Sequence, residues 1–206
     1  KKDDMKNIGI VYGGYSSEIV VSRKSAEGIR SFMDTEQYRV FPVLITQEKW
    51  VVTEDDNEYP IDKNDFTFEK NGERLSFDCL YITIHGTPGE NGLLQGYLAM
   101  MNIPHTTSDV LPAAMTFDKF TCNTYLKSFG VAVADSLLLR KGRGYNPDDI
   151  GDKAGIPCFV KPNAGGSSFG ITKVKKFEEL EPAIEKAFEE SDEALVESFM
   201  EGTEVT

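Results

Sequence analysis

The N-terminal stretch leaves few architectures open. "NIGIVYGG", residues 7–14, is an apolar run closed by paired glycines and reads as a buried strand. "SSEIVVSRKSAEGIRSFM" follows at 16–33, with Ser16 and Ser17 as N-cap candidates and apolar or small residues on one helical face. "YRVFPVLIT", 38–46, is a second apolar strand. A helix between two such strands is the crossover of a parallel pair, which no tight turn can join, so the opening predicts a parallel sheet.

The rest of the chain extends the pattern. The acidic stretch 54–65 reads as a solvated loop. "FTFEKNGERLSF" alternates about Asn71-Gly72, two residues that accept positive φ, and predicts a hairpin. "CLYITIHG" is another buried strand, followed by a glycine-rich turn, the helix "NGLLQGYLAMM" and a short closing "NIPHTT". From Ser108 the character changes. "SDVLPAAMTFDKFTCNTYLKSFG" predicts two helices, with Pro112 in the first and Gly130 ending the second. "VAVADSLLL" and "IPCFVKP" predict strands on either side of a polar loop spanning 140–155. "GITKVKK" and "EALVESFM" predict two more, and "FEELEPAIEKAFEES" between them is amphipathic at helical spacing. Two α/β units with a boundary near residue 107 fit this order. The closing "EGTEVT" reads as a strand beginning at Val205 and Thr206, and the chain is expected to continue past it.

Composition narrows the partners. The chain has 206 residues, 40% hydrophobic and 27% charged, enough for a packed core. Its 34 acidic and 22 basic residues give a net charge of -12, which argues against a nucleic-acid or anionic-membrane surface. An anionic ligand therefore has to be met by a local cluster of donors. No apolar run approaches the roughly 20 residues that cross a bilayer, and "KKDDMKN" lacks the apolar core of a signal peptide. Cys79, Cys122 and Cys158 are scattered and odd in number, unlike a zinc site or a disulfide framework, so a cytoplasmic setting is expected.

The strongest chemical signal is "FVKPNAGGSSFGITKV", 159–174. A strand ends on Lys161, passes through a loop of glycine and serine, and gives way to another strand. Without Cβ atoms the backbone can approach a ligand closely, successive N–H groups can form an anion nest, and Lys161 adds a cation. The lysine precedes the glycines and the loop runs into a strand, so this is not the P-loop order; it predicts a phosphate-gripping hairpin. Taken alone, such a loop serves equally well as a flexible connection.

Other candidates are weaker singly. Lys119 sits beside Asp118 near a helix start, where an exposed lysine is the common case. In "LVESFMEGTE", Glu197, Glu201 and Glu204 flank Phe199-Met200; an apolar slot with carboxylates suits adenine and ribose, and equally suits a solvated strand end. Glu18 follows the first strand, where open α/β sheets bind ligands, and a carboxylate there can accept an ammonium or simply favour the helix N-terminus. His85 and Glu90 in "ITIHGTPGENG" follow a later strand, and a carboxylate-supported histidine can donate to a bound carboxylate. His105 has no such setting and reads as structural. "GGYSSE" lacks the G-x-G-x-x-G spacing of a dinucleotide site.

In order, "GGYSSE", "HGTPGENGLLQGYL", "FDK", "FVKPNAGGSSFG" and "LVESFMEGTEVT" resemble the D-alanine–D-alanine ligase family of the ATP-grasp superfamily, from Asn7 to Thr206. The resemblance implies an α/β fold. It comprises an N-terminal Rossmann-like parallel-sheet domain over 1–107, the central α+β subdomain of an ATP-grasp fold over 108–199, and the start of a C-terminal subdomain over 200–206. It also implies ATP-dependent ligation of two D-alanine molecules through D-alanyl phosphate, giving D-alanyl-D-alanine for bacterial peptidoglycan. The implied setting is a cytoplasmic homodimer that engages neither nucleic acid nor membrane.

Site residues carry across one by one as implications of that resemblance. Glu18 corresponds to the carboxylate that binds the ammonium of the first D-alanine, linked to Ser167, and both stand at catalytic positions. His85 lies beside the first substrate, with Glu90 as its support. Lys119 and Lys161 correspond to the lysines that hold ATP phosphates, with Gly166, Ser167 and Ser168 in the covering loop. Glu197, Ser198, Met200 and Glu204 surround adenine and ribose, although many relatives carry lysine where this chain has Ser198. Val20 and Ile19 also replace an acidic and a polar residue of the family pattern. Ligands for Mg²⁺ or Mn²⁺, the oxyanion-stabilising arginine, and the active-site tyrosine and lysine are expected beyond Thr206. Acceptor choice is expected there too, so ligases joining D-alanine to D-lactate or D-serine fit this stretch as well. A non-catalytic ATP-grasp nucleotide-binding module is the remaining alternative.

Overall fold

The computed structural model describes residues 5–166 and 168–203. The strand expected at Val205 and Thr206, and the candidates Ser167 and Glu204, lie outside them. The chain divides into two compact units, Lys1–Ala114 and Met115–Thr206.

In the first unit, β1 (Lys6–Gly13), α1 (Ile19–Phe32) and β2 (Tyr38–Ile45) form the expected crossover. β1 and β2 pair in parallel from Lys6↔Tyr38 to Gly13↔Ile45, and β7 (Cys79–Ile82) joins the other edge of β1, also in parallel. An antiparallel wing continues from β2 through β3 (Trp50–Glu54), β4 (Asn57–Asp62), β5 (Thr67–Lys70) and β6 (Glu73–Leu75). The sheet order is β6-β5-β4-β3-β2-β1-β7. The hairpin at Asn71-Gly72 forms as predicted, with φ of 53° and 78°.

The acidic stretch 54–65 is not a loop. Asp55 and Asp56 take φ of 47° and 64°, a turn that twists in the sense of its strands, and Asn57–Asp62 returns as β4 with Ile61 buried. The carboxylates are its solvent-facing and turn residues. The N-cap of α1 is Glu18 rather than Ser16 or Ser17; Ser16 Oγ instead accepts from Glu18 N at 3.3 Å. α2 (Leu93–Met100) packs Leu94 and Leu98 into a core with Phe41, Phe66, Phe68, Phe77 and Leu80.

The second unit begins with the end of α3 (Val110–Phe117) and continues through α4 (Lys119–Ser128), which closes at Gly130 with φ 80°. Four strands follow: β8 (Ser136–Arg140), β9 (Cys158–Pro162), β10 (Thr172–Val174) and β11 (Glu193–Ser198). They form an antiparallel sheet of order β10-β9-β11-β8. Residues 131–135 are not the start of β8 as expected. Val131 N turns back to Leu126 O, closing the helix end.

The polar stretch 140–155 also differs from its reading as a loop, because it contains α5 (Pro147–Ala154). Asn146 caps it through a side-chain bond to Asp148 N, Pro147 supplies the first turn, and Ile150 and Ala154 are buried. α6 (Leu180–Phe188) buries Leu180, Ala183, Ile184, Ala187 and Phe188. α5 and α6 share a core with Cys158, Val160, Val174, Ala194 and Val196, which marks one face of the sheet. By strand alternation Phe159, Lys161 and Glu197 point to the other.

The end of β1 is fixed by a glycine. Gly13 has φ 116°, and a Cβ there would stand 2.2 Å from Ile45 O. Gly28, inside α1, has nothing within 4 Å of its Cβ position. Gly13→Ala is therefore expected to destabilise the first unit by at least about 2 kcal/mol through strain and clash. Gly28→Ala is expected to stabilise it by about 0.5–1 kcal/mol through helix propensity. Urea unfolding of both variants checks the opposed signs.

Candidate functional site

Candidate residues gather in two places, one in each unit. In the first, Gly13 N donates to Ser22 Oγ at 3.0 Å, Gly14 N donates to Ile45 O at 2.9 Å, and Tyr15 N donates to Thr87 O at 2.8 Å. The turn after β1 is thus tied to the turn after β7. Glu18, at the head of α1, is only 3% exposed. A Cβ on Gly86, whose φ is 77°, would lie 2.9 Å from Glu18 Oε2 and 2.7 Å from Ser16 Oγ. The Glu18 carboxylate therefore lies against the His85–Glu90 turn. Among the described residues no hydrogen-bond donor meets it.

His85 and Glu90 both sit in this turn, where the expectation is that Glu90 supports the ring; among the described residues no hydrogen bond joins the two. His85 Nε2 is 3.3 Å from Ser25 Oγ on α1. Glu90 Oε2 accepts from Gly86 N at 2.7 Å, closing its own turn. His105 is structural: its Nδ1 is 3.2 Å from Ile103 O, and its backbone bridges to Leu80. Gln95 was not singled out by sequence reasoning. It is 1% exposed, and its Nε2 donates to Gly89 O and Thr107 Oγ1, pinning the turn from α2. A glutamine on a helix carries no sequence signal for such a role.

In the second unit β9 delivers Lys161, which forms an ion pair with Glu197 on β11. Their side chains are 22% and 11% exposed, and Asn123 Nδ2 donates to Glu197 Oε1 at 2.9 Å. Lys119 opens α4, where Asp118 is the N-cap and accepts from Thr121 N at 2.7 Å. Lys119 Nζ donates to Gly165 O at 2.6 Å, so its ammonium lies on the glycine loop. Gly165 has φ 134° and Ser168 φ 62°, and Gly166 O accepts from Phe169 N at 3.2 Å.

The residues expected around a nucleobase are partly engaged already. Ser198 pairs with Asp135 through Oγ and through its own N–H. Met200 is exposed, and Phe199 lies beside Phe159 with ring centroids 6.1 Å apart. Lys173 Nζ stands 3.6 Å above the Phe199 ring. Asn163, between Pro162 and the glycines, is a second residue the sequence did not mark, since an asparagine there reads as a turn former.

Other chemistries find little support. Burial pushes the Cys79 and Cys158 thiols up, away from the thiolate form a nucleophile needs. Among the described residues no group of three or more His, Cys, Asp or Glu is arranged to hold a metal ion, and no helix is long and apolar enough to cross a membrane.

A lysine-entered glycine hairpin on an antiparallel sheet, following a unit with a parallel β-α-β core, defines an α/β chain of the ATP-grasp class. Comparisons with known proteins agree. Two family descriptions match, "D-ala D-ala ligase N-terminus" over residues 7–108 and "D-ala D-ala ligase C-terminus" over 125–206. The D-alanine–D-alanine ligase of Phocaeicola vulgatus is 58% identical over 202 residues, covering 98% of this chain and 62% of that protein. Among solved structures, D-alanyl-alanine synthetase A from Vibrio cholerae superposes with a TM-score of 0.84 at 29% identity, over 96% of this chain and 60% of the other. The Bacillus anthracis ligase complexed with ATP gives 0.72 at 26%, over 96% and 60%. The chain belongs to the D-alanine–D-alanine ligase family, and it spans 62% of the length of the Phocaeicola relative.

The Lys161–Glu197 pair yields a stability test. Removing one partner of a mostly buried pair leaves the other charge uncompensated, so Lys161→Ala is expected to cost about 3–5 kcal/mol. Lys161→Met combined with Glu197→Gln is expected to recover most of that loss. Chemical unfolding of the single and double variants measures both.

Proposed function

We propose that this chain is the first-substrate and nucleotide-gripping part of an ATP-dependent ligase joining two D-alanine molecules. Glu18 carries the reading: a carboxylate on a residue only 3% exposed, met by no donor among the described residues, suits a ligand ammonium. A small amino acid meets that need, and His85 beside the same turn can donate to its carboxylate.

ATP fits the second unit. Glycines at positive φ keep the loop backbone open to phosphate oxygens, Lys119 brings an ammonium to the same loop, and Lys161 stands at its entrance. Gly166, Ser167 and Ser168 are read as the covering segment. Phe159, Phe199 and Met200 offer an apolar surface for a base, and Glu197, Ser198 and Glu204 offer polar edges. On this reading a carboxylate oxygen of the first D-alanine takes the terminal phosphoryl group of ATP, with ADP leaving, and the amine of the second D-alanine attacks the acyl carbon of the resulting D-alanyl phosphate, expelling inorganic phosphate and losing a proton as the amide forms. The residues of this chain bind the ammonium, orient the carboxylate, neutralise phosphate charge and exclude water. Mg²⁺ belongs to this reading with ligands outside the present sequence, since the described residues hold no cluster of three or more His, Cys, Asp or Glu that could bind it. The full-length protein is read as a cytoplasmic homodimer, with 1–107 and 108–199 as its first two domains and a third beginning at 200.

The decisive measurement is phosphate release by the full-length protein with ATP and D-alanine, the product identified by mass. D-alanyl-D-alanine is the expected product. Its absence, or a product made with D-lactate or D-serine in preference, overturns the acceptor assignment. Glu18→Gln is expected to weaken first-substrate binding by about 1.5–3 kcal/mol, the range for a charge-assisted hydrogen bond. Unchanged affinity for the first D-alanine removes that role from Glu18.

A further inference from the structure

Asn163 follows directly on β9 and is 1% exposed, with every polar atom engaged. Its Oδ1 accepts from Phe120 N at 2.9 Å. Its Nδ2 donates to Asp118 Oδ2 at 2.7 Å and to Glu193 Oε2 at 3.0 Å. Its main-chain N donates to Glu193 O at 2.8 Å, and its main-chain O accepts from Lys119 N at 3.1 Å. One residue therefore joins β9, β11 and the N-terminus of α4.

The amide suits this place chemically. Two carboxylate oxygens and one backbone N–H face it, so the side chain must offer two donors and one acceptor from a short stem. Aspartate lacks the donors, and serine has one. The attachment also matters mechanically, because α4 has no buried residue of its own to seat it by apolar packing. Its first residue is Lys119, whose ammonium lies on Gly165 O.

We infer that Asn163 is a positioning residue of the nucleotide grip, holding the head of α4 so that the Lys119 ammonium stays over the loop that Lys161 enters. This rests on the proposed reading of that loop as the ATP site. Asn163 does not touch the nucleotide; it acts through Lys119 and the loop backbone.

The test uses the full-length protein below the unfolding temperature of each variant. Asn163→Ala is expected to raise the KM for ATP about tenfold or more, as loss of such hydrogen bonds implies, while the KM for D-alanine stays within about twofold. Asn163→Asp adds a separate signature. The new carboxylate faces Asp118, the N-cap of α4, and Glu193 from β11, with Lys119 and, through Glu193, Arg140 as the neighbouring cations. Repulsion raises its pKa, and only the protonated form donates. Its ATP KM, relative to wild type at the same pH, is expected to fall as pH drops from about 8 to about 6. If Asn163→Ala is too unstable to assay, this pH recovery decides. Unaltered ATP affinity in Asn163→Ala, with only a lower unfolding temperature, overturns the inference, as does a pH-independent defect in Asn163→Asp. If the wild-type protein itself fails to bind ATP, the grip reading falls and takes this inference with it.

Discussion

Both candidate sites depend on backbone brought closer than a side chain allows. At the end of β1, Gly13 sits against Ile45 O; at the turn after β7, a Cβ on Gly89 would stand 2.5 Å from Ile84 Cβ. In the second unit a Cβ on Gly170 would stand 2.8 Å from Pro162 Cγ. These are places in or beside the connections between strands where the backbone folds back closely on its neighbours. Strand ends make good sites because hydrogen bonding to neighbours fixes the last residue in register while the following N–H groups stay available. Glu18 and Lys161 inherit their placement from that rigidity.

Electrostatics then sets what the sites can hold. A chain with net charge of -12 repels anions at long range, and a screened, local arrangement has to overcome that. Lys161 and Lys119 lie within the same small region, yet neither is left as a bare buried cation. Lys161 is balanced by Glu197, and Lys119 by the carbonyl of Gly165. Such pairing gives each ammonium an acceptor within the protein, and on the proposed reading an arriving phosphate exchanges one set of acceptors for another. The first unit presents the converse: the Glu18 carboxylate, which meets no donor among the described residues and is suited to a cation.

The sequence carried the parallel crossover, the Asn71-Gly72 hairpin, the four second-unit strands and the glycine loop, because apolar periodicity and residues permissive of positive φ are local signals. It concealed β4, where Pro60 and four acidic residues of 54–59 outweighed the buried Ile61. It also concealed α5, although Asn146-Pro147-Asp148 is a helix start by composition; glycines on both sides made the segment read as loop. The individual site residues were legible only in combination. What pairs with what was not: Glu90 with Gly86, Lys161 with Glu197 and Asn163 with two carboxylates are long-range or turn-internal choices that follow from three-dimensional register, which a linear pattern does not encode.

The contrast between α6 and α4 gives that register a functional sense. α6 buries five side chains and is held by apolar packing, which fixes its distance from the sheet and tolerates small rotations. α4 buries none among its residues and is held by Asn163 at its head and by Asn123 on Glu197. Hydrogen bonds are directional, losing strength steeply as they bend, so they fix orientation more sharply than burial does. On the proposed reading α4 aims one ammonium at a phosphate, a task that needs orientation, whereas a helix that closes a core, as α6 does, needs area. The second unit uses each kind of attachment where its physics applies.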